Sequence, residues 1–502
     1  MNENMDSVKI MYARNLNKLS CNIPLSIAVD NNANIKTILD INSYVYDEKV
    51  ECGNGKAIVS GRVGVKVLYI DTDNMSNIVT TSQTFSETFA DNSITVDSVI
   101  ILSQANIIDT ILSQDGTLKL NLNVNYTPTM YINLALPNVS GFENMIVKKR
   151  EVSTSSIVGQ VNSQFEYLTN IETKDNITKI LGYDCSFAKS KATSYEEHAV
   201  IEGKLYSTLL YETDQNGSVV KKEIKDTFNV KLEVPISSLT PEYSLDIVCL
   251  MDKSKETINT EIEDDNTIVS IEHHFVVRGV IIKNISLDML EDMYSTDNEI
   301  ELHTTSREYN TNIIHEHVSE TISGEITLDN EEPAIDEIVS NHNISTEITN
   351  YYVKNESLYL EGIVTSHIVY IDENKECRHK QTELPFIINT KINLEHIDCL
   401  HYNVNAMDCR AKVKRGTIIE LEYTLALDLC IYIRETTDVI DNLTIGKAID
   451  FSMYDYQIFI AKPDETIWDL AKRIKISPEK LTEMNRNLPL IMQGNEKIII
   501  KR

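Results

Sequence analysis

One strand pattern occurs three times in this 502-residue chain, and the repetition limits the possible folds more than any other feature. Each copy has a glycine followed eight residues later by a tyrosine: Gly61 and Tyr69, Gly203 and Tyr211, Gly362 and Tyr370. Positions −4, −2, +2, +6 and +8 relative to the glycine are apolar or aromatic in every copy. A period of two predicts a strand with one buried face. A glycine in mid-strand favours a bulge or a close backbone approach.

Flanking residues keep nearly the same register in the three copies. Upstream isoleucines precede the glycine by 23 or 24 residues, and downstream phenylalanines follow it by 24 or 25: Ile38, Ile180, Ile338, Phe85, Phe228 and Phe386. Further strand-like runs close the copies at 117–124, 267–282 and 417–433. We therefore predict a mainly β, multidomain chain with three tandem β-rich domains at 1–140, 141–300 and 301–448. A different domain is expected at 453–502.

A polar segment follows each repeated tyrosine, at 71–74, 214–217 and 372–375. Asp, Asn and Gly in such positions are typical of β-hairpin turns, which require positive φ angles. A calcium loop is the alternative, but none of the three segments completes the twelve-residue ligand pattern that ends in Glu.

Composition excludes several classes of function. The formal net charge of −30 predicts that nucleic acid is not a partner, and it disfavours docking on anionic lipid. No apolar run approaches the roughly 20 residues of a membrane helix, and the N-terminus lacks the apolar core of a signal peptide, so we expect a cytoplasmic protein without direct membrane insertion. The eight cysteines form no CxxC pair, which favours reduced, mostly buried thiols over metal or disulfide roles.

The pattern changes to strand–helix–helix–strand after Tyr456. Residues 456–460 alternate like a strand, and 464–466 supply capping and first-turn acidic residues for a helix with one apolar face. Ser477 and Pro478 are typical of the N-cap and first position of a second helix, which we expect to end near Asn485. A last strand is predicted at 497–501.

This C-terminal segment resembles a LysM domain. The residues that carry the resemblance are Asp464-Glu465-Thr466-Ile467-Trp468, then Asn485, Gly494 and 498–500. The family binds N-acetylglucosamine-containing glycans between its first loop and the loop after its second helix. The resemblance implies a partner- or glycan-binding site, which we assign to Lys462, Asp464, Thr466, Ile467, Trp468, Asn485 and Leu488. Trp468 could instead belong to the core. Asp464 replaces the family's glycine, which adds bulk and charge to the groove.

The three repeats resemble SPOCS domains, and the order of SPOCS domains before LysM resembles spore-coat morphogenetic proteins of endospore formers. This resemblance implies a non-enzymatic scaffold in the mother-cell cytoplasm, recruited to the forespore surface. Its LysM-like domain would bind a coat ATPase like stage IV sporulation protein A, and its β domains would serve other coat proteins. The alternative is a peptidoglycan-binding protein that acts on cortex or cell wall through LysM.

No segment fits a phosphate-binding loop, a nucleophile elbow or a metalloprotease helix, so we predict no enzyme activity and no cofactor. His315 and His317 would share one face of a strand as half of a metal site, although spacing supplies no further ligand.

Residues 453–502 contain nine Lys and Arg against seven Asp and Glu. This slightly basic tip on an acidic body suggests a distinct docking surface.

Overall fold

A computed structural model of the chain describes residues 7–28, 35–113, 117–137, 145–215, 218–263, 266–329, 332–450 and 456–501. The structure is mainly β, as the sequence predicts. Within these residues, no helix combines the length and the apolar character needed to cross a membrane. The eight cysteines are free thiols, and six of them are buried.

The strands of the first repeat form three antiparallel sheets in the orders β1-β9-β6, β2-β8-β7 and β3-β4-β5. Their bounds are β1 (Ser7–Asn15), β2 (Leu19–Ala28), β3 (Ile35–Gly53), β4 (Lys56–Asp71), β5 (Ser76–Ala90), β6 (Val99–Leu102), β7 (Asn106–Ser113), β8 (Thr117–Tyr126) and β9 (Pro128–Pro137). The repeated glycine and tyrosine lie on the central strand β4.

The second repeat has a three-stranded sheet like β3-β4-β5 of the first repeat, and its other sheet contains two much longer strands. Its bounds are β10 (Met145–Thr173), β11 (Ile177–Ser194), β12 (His198–Gln215), β13 (Ser218–Pro235), β14 (Ser244–Met251), β15 (Thr257–Glu263) and β16 (Asn266–Ser295). Strands β11-β12-β13 form one sheet, and β16 pairs with β10, β14 and β15 in the other. We call the three-stranded sheet around the repeated glycine strand the hairpin sheet of each repeat. The long β10–β16 pair takes the place that the shorter pairs β2–β8 and β1–β9 occupy in the first repeat.

The third repeat follows the second closely. Its bounds are β17 (Asn298–Thr327), β18 (Ile335–Lys354), β19 (Ser357–Asp372), β20 (Cys377–Asn393), β21 (Cys399–Lys414) and β22 (Ile418–Ala448). The sheets have the orders β18-β19-β20 and β17-β22-β21. Each described sheet before residue 450 takes its strands from one repeat, with β17 beginning three residues before the predicted division at 301. The division into 1–140, 141–300, 301–448 and 453–502 stays a prediction.

The C-terminal segment has the predicted strand–helix–helix–strand order, with two additional short strands, one before the first helix and one after the second. Its elements are β23 (Tyr456–Ile460), β24 (Pro463–Thr466), α1 (Ile467–Ile474), α2 (Pro478–Met484), β25 (Ile491–Gln493) and β26 (Lys497–Lys501). Strands β23 and β26 pair antiparallel, and the short strands β24 and β25 pair with each other. The buried faces of both helices pack with Ile498 and Ile500 of β26.

Each repeated glycine lies under an aromatic ring. A Cβ atom at Gly61 would lie 3.0 Å from the ring of Phe85, and one at Gly362 would lie 2.5 Å from that of Phe386. At Gly203 the ring belongs to Phe187, whereas Phe228 pairs with Leu205, so the predicted equivalence of Phe228 is wrong. A bulge lies opposite each glycine on the preceding strand, where the register shifts. The glycine therefore serves a close approach, as the sequence allows.

The turns after Tyr69 and Tyr370 are hairpin turns, as predicted. Asn74 and Lys375 adopt φ angles of 61° and 64°. The carboxylates of Asp71 and Asp372 accept hydrogen bonds from backbone N–H groups two and four residues later, so they close the turns internally. Residues 216 and 217 of the predicted second turn lie outside the described residues.

The three repeats meet in a shared buried interior. One apolar cluster at the junction takes side chains from all three: Met11, Ala13, Ile101, Tyr131, Val248, Val280, Ile282, Cys399, Cys430 and Tyr432. A second cluster packs the hairpin sheets of the repeats together: Leu39, Leu68, Ile70, Leu181, Leu210, Val339 and Cys377. The hydrophobic effect therefore holds the repeats against one another as well as within themselves.

A single buried carboxylate joins the repeats inside the first cluster. Asp246 of the second repeat is 4% exposed and accepts hydrogen bonds from Tyr131 of the first repeat at 2.6 Å and from Tyr432 of the third. His401 of the third repeat lies 2.7 Å from its other oxygen through Nδ1. Burial raises the pKa of Asp246, but the interaction with His401 outweighs it and holds the pKa well below its usual value.

We expect Asp246→Ala to lower the free energy of unfolding by about 3–5 kcal/mol, because three polar groups from two other repeats lose their buried partner. Urea denaturation measures the effect. Asp288→Ala is the matched control, since Asp288 is exposed and 3.6 Å from Lys149, and should cost less than about 1 kcal/mol. Equal losses in the two variants would contradict the role assigned to Asp246.

Candidate functional site

The helices of the C-terminal segment begin and end at the residues that the sequence predicts. Thr466 is the N-cap of α1 and forms a capping box with Asp469, in which each side chain accepts from the other's backbone N–H. Ser477 caps α2, Pro478 occupies its first turn, and Asn485 is its C-cap. These caps fix both the loop before α1 and the loop after α2.

The first loop, residues 461–466, keeps a tight turn although Asp464 replaces glycine. Asp464 adopts a φ angle of 61° and remains exposed. Asp tolerates this left-handed conformation better than most residues, because its short side chain can bond locally. Gly494 faces the same loop with a φ of 83°, and a Cβ there would lie 2.7 Å from Pro463. The two turns therefore fit closely together.

An ion pair between the buried side chain of Glu465 and the partly exposed side chain of Arg473 holds the first loop in place. Glu465 is 8% exposed and accepts hydrogen bonds from Arg473 at 2.6 and 2.9 Å and from the backbone N–H of Lys462 at 3.0 Å. The Arg473 hydrogen bonds lower the pKa of Glu465 despite its burial. The loop is thus ordered by a bidentate pair, the strongest form of charge-assisted hydrogen bonding.

The first loop and the loop after α2 lie side by side. Pro463 pairs with Gln493 and Thr466 with Ile491 through strands β24 and β25. Leu490 is 82% exposed and Ile491 is 58% exposed, and Lys462 of the first loop is also exposed. We call this surface the loop groove: residues 462–464 on one side and 487–491 on the other. Sequence analysis missed Leu490 and Ile491, whose signal is an apolar pair after a proline in a loop.

Three of the predicted site residues support the groove from beneath. Asn485 donates to the carbonyl of Ile499 at 2.8 Å and accepts from its N–H at 2.7 Å, which ties α2 to β26. Ile467 and Leu488 pack against the core of the segment. Lys462 and Asp464 are exposed in the groove, while Thr466 is used as the helix cap.

Trp468 faces the β body instead of the groove. Its indole N–H donates to Asp292 at 2.8 Å, and its ring meets Tyr294 edge-on at a centroid distance of 5.2 Å. Lys472 donates to both oxygens of Asp292, at 2.6 and 2.8 Å. The Tyr294 hydroxyl donates to the carbonyl of Ile476 at 2.6 Å, and burial raises the pKa of Tyr294. Strand β16 therefore holds helix α1 and the connection to α2.

Residues 460–490 match the family model of the LysM domain. The C-terminal segment contains a LysM domain. A comparison with curated proteins finds no match for the chain, and a comparison with solved structures finds none. LysM domains commonly bind peptidoglycan. In this LysM domain the loop groove is exposed, whereas the lone tryptophan of the chain packs against the second repeat.

His315 and His317 have different neighbours in the third repeat. His317 Nδ1 lies 3.0 Å from Asp428, which also pairs with Lys189 of the second repeat at 2.7 Å. His315 Nε2 lies 3.8 Å from Cys430 Sγ. The sequence pattern did not reveal either neighbour. Each imidazole therefore contacts a side chain of β22 instead of the other histidine.

We expect Asp292→Ala to move the fluorescence emission of Trp468 to longer wavelength, because the indole loses its half-buried acceptor and gains contact with water. Trp468 is the only tryptophan, so the signal reports on this contact alone. Asp288→Ala, four residues away on β16, should leave the emission unchanged. An unchanged spectrum in Asp292→Ala would contradict the docking of the LysM domain on β16.

Proposed function

We propose that this chain is a carbohydrate-binding protein whose LysM domain recognises N-acetylglucosamine-containing glycans such as peptidoglycan. The β repeats serve as a non-enzymatic platform for that domain. The proposal places the glycan in the loop groove, between residues 462–464 and 487–491.

The observation that carries the proposal is the pairing of β24 with β25 in a matched LysM domain. This pairing brings the first loop beside the loop after α2, the two segments that cradle the glycan in the family. The loop after α2 exposes the apolar side chains of Leu490 and Ile491, and the first loop, which pairs with it, exposes polar Lys462 and Asp464. This combination suits a sugar ring, which has apolar faces and hydroxyl edges.

The backbone conformation of the first loop answers the objection that Asp464 raises. Asp464 takes the backbone conformation of the glycine it replaces, and Lys462 lies two residues away on the same loop. The contact with the body uses Trp468, Lys472 and Ile476, which lie on α1 and after it. The loop groove is therefore accessible in the intact chain.

The test is co-sedimentation of the intact chain with purified peptidoglycan sacculi. We expect saturable binding, and we expect Leu490→Asp to weaken it at least about tenfold, since burial of a leucine side chain contributes about 1.5–3 kcal/mol. Ile458→Ala changes an exposed apolar residue of the same domain outside the groove and should bind as the unchanged chain does. No binding by the unchanged chain, or equal binding by Leu490→Asp, would refute the proposal.

A second candidate function, assembly of a protein coat, is favoured by the outer face of the β23–β26 sheet. Ile458 pairs with Ile499, and the exposed fractions of these side chains are 68% and 49%. Tyr456 and Ile460 on the same face are 62% and 61% exposed. An apolar face of this kind, flanked by Lys497 and Lys501, suits a protein partner.

In this second candidate the chain is a spore-coat scaffold at the forespore surface of the mother cell, as the SPOCS resemblance implies. Its partner would be the ATPase like stage IV sporulation protein A. The paired variants separate the two functions: Ile458→Asp with Ile499→Asp should abolish co-purification with that ATPase, and Leu490→Asp should not. Recovery of the ATPase with the double variant would refute the second candidate.

A further inference from the structure

Side chains from all three repeats line a cavity of about 310 Å³ beneath the hairpin sheets. Its wall is polar and includes Tyr44, Asp109, Arg278 and His367, together with Cys185 and Lys253 of the second repeat. The cavity borders a buried cluster of chemically reactive side chains on the second repeat, in a part of the chain that the proposed function does not use.

The cluster consists of Cys185 on β11, Glu256 between β14 and β15, and His273 on β16. One potential ligand atom from each residue lies within 4.8 Å of the other two. Cys185 Sγ is 2.9 Å from Glu256 Oε1. Cys185 and His273 are 6% and 0% exposed, which sets this group apart from the exposed acidic clusters common on protein surfaces.

The second ring nitrogen of His273 supports a ligand independently. His273 Nε2 lies 2.9 Å from Thr169 Oγ1, and Nδ1 has no hydrogen-bond partner among the described residues. A buried, unpaired polar atom costs about 1–3 kcal/mol. The contact with Thr169 also orients the ring, as residues behind metal-binding histidines do.

We propose that Cys185, Glu256 and His273 bind a Zn²⁺ ion. Sulfur, carboxylate oxygen and imidazole nitrogen are the ligands that zinc prefers, and three protein ligands leave a fourth position for water from the neighbouring cavity. Ligand atoms in a tetrahedral zinc site are about 3.3–3.8 Å apart, so side-chain shifts of about 1 Å close the site.

The surrounding charges match a divalent cation. Beside the cluster, Lys253 Nζ lies 2.5 Å from Asp184 Oδ1, and the charges of these two side chains neutralise each other. Binding replaces the thiol proton of Cys185, and the resulting thiolate and the Glu256 carboxylate together balance the charge of the ion. A monovalent cation would leave an uncompensated charge in this buried region.

The experiment uses the full chain, loaded with zinc alone, desalted and analysed for metal by mass spectrometry. We expect one zinc per chain, retained in His274→Gln and Cys249→Ser and lost in Cys185→Ser and His273→Gln. His274 lies on the opposite face of β16 and forms a second cluster with Glu166 and Glu272, in which Glu166 is exposed and the other two are half-buried, so it tests the competing site. Cys249 is a buried cysteine of the same core and controls for burial.

A second measurement, the absorption spectrum of added cobalt, starts from the unchanged chain and needs no substitution of a fully buried residue. Cobalt added to the unchanged chain should produce a thiolate-to-cobalt charge-transfer band, and Glu256→Gln, at a half-buried position, should weaken cobalt binding at least about tenfold. Absence of the band, failure of the unchanged chain to retain zinc, or zinc that persists in Cys185→Ser and is lost in His274→Gln would overturn the proposal.

Discussion

The buried carboxylate of Asp246 fixes how the three repeats meet. A charge in an apolar interior is tolerated only when hydrogen-bonding groups surround it, and here those groups come from the first and third repeats. Displacement of the first repeat would take the hydroxyl of Tyr131 away from this carboxylate, and displacement of the third would take away Tyr432 and His401. Displacement of the second repeat would remove the carboxylate from all three groups. Asp246 is 4% exposed, and its cross-strand partner Val280 belongs to the apolar cluster at the junction. The β body is therefore a fixed platform, and the ends of its long strands are available to carry another domain.

One surface of the LysM domain packs against the β body, and two other surfaces are exposed. Asp292 and Tyr294 near the end of β16 contact Trp468, Lys472 and the connection between the helices. The loop groove and the apolar face of β23 and β26 remain exposed. This division explains why a lone tryptophan in the motif of a binding domain need not mark its binding surface. It also sets the orientation of the loop groove relative to the β body.

Local signals were readable in the sequence because they act over short distances. The period of two around Gly61, the turn at Asp71, and the caps Thr466, Ser477 and Asn485 each depend on residues within one strand or turn. The contact between Trp468 and Asp292 spans 176 residues, and no periodicity encodes it. The meeting of Cys185, Glu256 and His273 likewise depends on three separate elements. Phe187 replaces Phe228 above its glycine because packing, not spacing, selects the ring.

We propose that ligand recognition lies in the loop groove and not in the surface that holds Trp468. Hydrogen–deuterium exchange of the full chain, with and without N-acetylglucosamine oligomers, tests it most directly. We expect slower exchange in residues 461–466 and 485–493 on addition of oligomer, with α1 and the end of β16 unchanged. Protection confined to α1 and β16, or no protection anywhere in the LysM domain, would contradict it.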